Sequence, residues 1–102
     1  MSVVSGVTIQ ANISNEDFIE NINKWLKARY FSQLCSVEHY YGGDKHPQVK
    51  IWGGGFNYFP EDDFASYIIS LPWKFRENVV LLINPEEGST RVWQMDRVQS
   101  VG

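Results

Sequence analysis

The stretch NVVLLIN, Asn78 to Asn84, sets five apolar residues in a row between two asparagines. A short continuous apolar run with polar neighbours is the pattern of a strand buried on both faces. It predicts an interior strand over Asn78–Ile83, and the rest of the chain must then supply its cover. Upstream, FPEDDFASYIISLPW (Phe59 to Trp73) reads as a helix near residues 60–71. Pro60 fits a first helical position, because the N–H it lacks would have no helical partner there. Phe64, Ile68 and Leu71 fall on one face, and Pro72 stops the helix. Downstream, PEEGS is a turn and TRVWQMDRV is a last strand.

The N-terminal half supplies the other elements. SVVSGVTIQANI is rich in β-branched residues and reads as a strand, best from Gly6 to Ile13. Ser14 begins SNED, and Asp17 three residues on can reach back to it as in a capping box. The helix that follows is expected near residues 15–31, with Phe18, Ile19, Ile22, Trp25, Leu26 and Arg29 or Tyr30 recurring at three and four. Its acids, Glu16, Asp17 and Glu20, come early and its bases, Lys24, Lys27 and Arg29, come late, as the helix dipole favours. CSVEHYYGG (Cys35 to Gly43) and QVKIWGGGFNYF then read as a hairpin around the turn formers of GGDKHP. The order β-α-β-β-α-β-β predicts an α+β domain, with two helices laid against a mostly antiparallel sheet. At 102 residues the chain is expected to be a single domain, 1–102.

Composition narrows the function. Twelve acids against nine bases give a net charge of −3, and the bases are scattered. A nucleic-acid binder would carry a basic face, so the balance favours a basic partner over a polyanion. Cys35 is the only cysteine, which rules out an internal disulfide and points to a reducing, cytoplasmic setting. The N-terminus lacks the charged and apolar regions of a signal peptide, and no window is apolar enough to span a bilayer.

Gly53, Gly54 and Gly55 lack the lysine and hydroxyl residue that a phosphate loop needs, and the acids after them would repel phosphate. They are expected to mark the end of a strand in a bulge or tight bend. Glu61, Asp62 and Asp63 suit a helix start, but three acids exceed what capping needs, and Tyr58 and Phe59 beside them add aromatic anchors. Tyr58, Glu61, Asp62 and Asp63, joined by Glu86 and Glu87 from the last turn, are therefore the candidate partner-binding residues. His39 and His46, with Lys45 or Lys50, offer an alternative, a small metal-independent nuclease with one histidine as base and one as acid. Cys35 and His39 have no second pair for zinc, and on a strand they lie ~13 Å apart, too far to bond. No cofactor is expected. Trp25 is expected in the core, with Trp52, Trp73 and Trp93 in strands or loops.

GGGFNYFPEDDFASYI and VVLLINPEEGSTRVW resemble segments of the small immunity proteins of bacterial contact-dependent growth inhibition and related polymorphic toxin systems. The likeness covers the C-terminal half. It implies a short, cytoplasmic, non-catalytic chain that binds a cognate toxin domain and covers its active site. Many such toxins cut RNA or DNA and are basic around their active sites, and an acidic blocker suits them. These families share no catalytic residues, so no residue role is carried over.

Overall fold

A computed structural model describes residues 4–36, 49–86 and 88–96. Among them are two α-helices and five strands: β1 Val4–Asn12, α1 Glu16–Ala28, β2 Cys35–Ser36, β3 Val49–Asn57, α2 Glu61–Ser70, β4 Val80–Pro85 and β5 Arg91–Gln94. The sheet order is β2-β3-β1-β4-β5, and every neighbouring pair is antiparallel. The fold is α+β, with the element order expected from the sequence. No helix of the described residues is long and apolar enough to cross a membrane.

Strand alternation decides which face is the core. Along β1, Ser5, Val7, Ile9 and Ala11 are buried, and the residues between them are half-buried. Register puts Val7 beside Gly54 and Ile83, and Ile9 beside Trp52 and Leu81, so these share one face. Both helices lie against that face. α1 contributes Ile19, Ile22 and Leu26, and α2 contributes Phe64, Ala65 and Ile68, all in one continuous buried cluster. Each fully buried aliphatic or aromatic side chain here is worth about 1.5–3 kcal/mol.

β4 is interior, between β1 and β5, but it is not covered on both faces as the apolar run predicts. Leu81 and Ile83 are buried, while Val80 and Leu82 are half-buried on the face away from the helices. A sheet of antiparallel pairs needs only one covered face. The glycines also depart from expectation. Gly53, Gly54 and Gly55 pair with Thr8, Val7 and Gly6 in unbroken register, with no bulge and no positive φ. Gly54 is glycine because the Phe56 ring folds back over it. A Cβ there would stand 3.0 Å from Phe56 Cζ and 3.5 Å from Leu34 Cδ2.

The start of α1 is not a capping box. Ser14 is exposed within a 3₁₀ turn, and its N–H donates to Asn12 Oδ1 at 3.0 Å. Asn15 holds the N-cap position without capping the helix. Its fully buried amide instead grips the main chain of Lys74, donating from Nδ2 to the carbonyl and accepting the N–H at Oδ1, both at 2.8 Å. That clamp joins the start of α1 to the segment after α2. Pro60 caps α2 rather than opening it, and Leu71 is extended (ψ 144°), as a residue before proline should be. Trp52 and Trp73 are buried, and the Trp73 indole N–H donates to Ile68 C=O at 2.7 Å. Trp25 is only half-buried. It stacks on Tyr67 (centroids 5.5 Å apart) and carries the Arg29 guanidinium 3.7 Å over its ring.

Candidate partner-binding site

Two Tyr-Phe pairs, Tyr30-Phe31 and Tyr58-Phe59, shape one end of the molecule. The phenylalanines turn inward. Phe31, Phe56, Phe59 and Phe64 form a chain of ring contacts with centroid spacings of 5.7, 5.0 and 4.9 Å, and Phe31 also meets Phe59 at 5.3 Å. This cluster ties the end of α1, the end of β3 and the start of α2 together. The tyrosines turn outward: Tyr30 is 98% exposed and Tyr58 is 68% exposed.

Both tyrosines sit in left-handed backbone, with φ of 66° and 50°. For a residue with a Cβ that conformation costs roughly 1–2 kcal/mol. Tyr30 has the position where a helix-ending glycine usually stands. Its N–H donates to Lys27 C=O and the N–H of Phe31 donates to Leu26 C=O, both at 3.0 Å. These are the two bonds of a closed helix C-terminus. The closure ends α1 at Ala28, three residues short of the expected boundary. It also takes Tyr30 off the apolar helix face. Tyr58 makes the corresponding turn after β3, so its own backbone, not the glycines, sends the chain outward. Between Tyr30, Phe31 and Ser32 on one side and Gly55, Phe56 and Asn57 on the other lies a groove of about 250 Å³.

The acids gather at the same end but are not equivalent. Glu61 accepts the Ser5 hydroxyl at Oε2 (2.9 Å), and its Oε1 lies 3.6 Å from Arg91 Nη1. Glu86 is bound to the neighbouring residue of β1. It accepts the Val4 N–H at Oε2 (3.1 Å), and its own N–H donates to Val4 C=O (2.8 Å). Glu61 and Glu86 therefore fasten the beginning of β1, which is a structural role. Asp62 has a side chain 84% exposed and meets Arg91 Nη2 at 2.8 Å. Such a surface pair contributes about 0.2–1 kcal/mol and leaves most of the carboxylate's field facing water. Asp63 is exposed, with no ion pair among the described residues. Among the described residues, these four carboxylates are met by one basic side chain, Arg91. Val4 pairs with Asn57, which precedes Tyr58, so Tyr58 belongs to the same end.

Five of the six residues expected to bind a partner, Tyr58, Glu61, Asp62, Asp63 and Glu86, are thus placed by the fold. Glu87 lies outside the described residues, as do His39, His46 and Lys45 of the alternative nuclease site. Lys50, the other lysine weighed for that site, reaches Glu16 at the start of α1. Sequence reasoning missed Tyr30 as a surface residue. The available signal was the absence of any glycine after the helix, in KARYFSQ, together with a Tyr-Phe pair like that at Tyr58. Comparison of the chain with protein-family models, curated proteins and solved structures finds no match.

Proposed function

We propose that this protein is a non-catalytic binding module that neutralises a basic protein partner, in the manner of a bacterial immunity protein covering a nuclease toxin domain in the cytoplasm. The observation that carries the reading is the meeting, at one end of the fold, of exposed aromatic side chains with a surplus of carboxylates. Tyr58 stands in the solvent beside the acidic first turn of α2, where Asp62 and Asp63 face water. Aromatic anchors ringed by charge are how tight interfaces are built, and an acidic rim speeds encounter with a basic partner. Glu61 and Glu86 act here through the frame they hold, fixing β1 beneath that rim. The likeness of GGGFNYFPEDDFASYI and VVLLINPEEGSTRVW to immunity proteins supports the same reading.

The test is to immobilise the chain, capture its partner from a lysate of the source cells, and assay the purified partner for RNA and DNA cleavage. The expected result is a basic protein whose activity is abolished by one equivalent of this chain. A captured protein that keeps full activity in the complex would end the immunity reading, and capture of no basic protein would end the binding reading.

A further inference from the structure

We infer that the sheet face turned away from the helices is the interface of a two-fold dimer, its occupant a second copy of this chain. The inference is independent of the binding role proposed for the acidic end. Register fixes the face. Val92, Leu82, Thr8 and Gly53 stand side by side across the sheet, and Gln94, Val80, Gln10 and Ile51 form the next row. No described strand residue on this side is charged. The two charged residues of the strands, Lys50 and Arg91, lie on the helix side, where they meet Glu16 and the acids Glu61 and Asp62. A sheet surface that faces water ordinarily carries charge, which also keeps it from associating. Here Val92 is 57% exposed, and Val80, Leu82 and Ile51 are half-buried beside it.

The relief of the face identifies the occupant. β1 is the central strand. On one side of it Val80, Leu82 and Val92 project, and on the other Gly53 and Gly55 leave bare backbone, with Gly6 beside them on β1. The chain's own fold does not require glycine at Gly6 or Gly55. Neither has a positive φ, and a Cβ there would find its nearest described neighbours in the adjacent strand, at 3.7 Å for Gly6 and 3.8 Å for Gly55. Glycine weakens a strand and lets another surface come close. A two-fold axis along β1 turns the raised side of one copy onto the flat side of the other. Leu82 then meets Gly53 of the partner subunit, and Val80 meets Ile51 of the partner subunit. Both copies make the same contacts, as an isologous pair requires. Two uncharged faces also meet without repulsion, although each chain carries a net charge of −3. At about 4.8 Å between strands and 3.3 Å per residue, five strands by six residues cover roughly 500 Å² on each copy and ~1,000 Å² in the pair, the lower bound of a specific interface. The apolar run of β4 thereby gains the cover on its second face that its sequence calls for.

Light scattering of the whole chain, from about 10 to 300 μM, should show its mass rise from 11.8 kDa toward twice that value. The dimer should persist at ~1 M salt, where charge interactions are screened. Gly6→Lys sets two ammonium groups against each other across the axis, and Val92→Lys places one at the exposed edge of the face. Each should weaken association about tenfold or more, with circular dichroism showing that the variant is folded. Cys35 gives a readout that needs no substitution. It is exposed and pairs with Gly53 on this face, where Val92 of the partner subunit covers it, so its alkylation should slow as the mass doubles. If Gly6→Lys does not fold, Val92→Lys and the alkylation rate decide. A mass that stays at 11.8 kDa throughout overturns the inference. So does a dimer that salt dissolves, that the folded lysine variants leave intact, or that leaves the alkylation of Cys35 unchanged, since each result places the contact elsewhere.

Discussion

Removing the Asn15 amide should cost more stability than any surface change, although it is a polar residue at a helix start. Asn15 is fully buried and makes both of its main-chain bonds to Lys74, 59 residues later, at 2.8 Å each. In Asn15→Ala the N–H and C=O of Lys74 lose these partners. Each buried group left unsatisfied costs about 1–3 kcal/mol. Lys74 itself is exposed, so water reaches part of that segment and the lower half of the range applies. The sum is about 2–4 kcal/mol, a large share of the ~5–15 kcal/mol of a whole domain. The melting midpoint should fall by roughly 10–25 °C. Asn15→Asp gives a sharper signature. It keeps the acceptor for the Lys74 N–H but turns a second oxygen toward the Lys74 carbonyl. Burial and that contact raise the folded carboxyl pKa, so the folded state binds the proton more tightly than the unfolded state. The variant should then gain stability relative to wild type as pH falls toward ~4. Urea unfolding followed by tryptophan fluorescence, with Trp73 adjacent, measures both. A cost below about 0.5 kcal/mol for Asn15→Ala, or no pH dependence in the difference between Asn15→Asp and wild type, would refute the clamp.

Two further outcomes concern the interior. Gly54→Ala should destabilise by about 1–3 kcal/mol, since its Cβ meets the Phe56 ring at 3.0 Å, whereas Gly55→Ala, whose nearest neighbour is Val4 Cγ1 at 3.8 Å, should be neutral or stabilising by up to ~1 kcal/mol. Equal effects in chemical denaturation would contradict the packing of Phe56 over Gly54. Burial raises the Tyr67 phenol above its ordinary 10.0, and the Arg29 guanidinium offsets part of that rise. The stability this burial protects is full below the unfolded value and is lost as pH climbs through the higher folded value. Wild type should therefore lose stability relative to Tyr67→Phe above about pH 10, and a flat difference in unfolding free energy would oppose the assignment.

The parts of the fold legible in the sequence are those set by short-range periodicity. Ile19, Ile22 and Leu26 at helical spacing gave α1, and the Asn78–Ile83 run gave an interior strand. What stayed hidden depends on residues distant in the chain. Asn15 looks like part of a local cap until Lys74 is beside it. Glu61 and Glu86 look like free surface acids until Ser5, Val4 and Arg91 meet them. Gly54 looks like a bend until the Phe56 ring is seen lying over it. The end of α1 was misplaced because its closing residue is Tyr30, not the glycine by which such ends are recognised. Of the candidate site, the sequence offered the acids and Tyr58. It did not show that β1 joins them at one end of the sheet, or that a second tyrosine, Tyr30, turns outward at the close of α1.

The central claim is that this end attracts and holds a basic protein. Its most direct test is the association rate of the captured partner with a chain carrying both Asp62→Lys and Asp63→Lys. The two substitutions should cost on the order of 1 kcal/mol each in folding stability, through the lost helix-start complement and, at Asp62, the lost Arg91 pair. Association should slow by about tenfold or more at low salt, and the difference from wild type should shrink as ionic strength approaches ~1 M, where screening acts within about 3 Å. An association rate and salt dependence unchanged by this reversal of charge would contradict the claim.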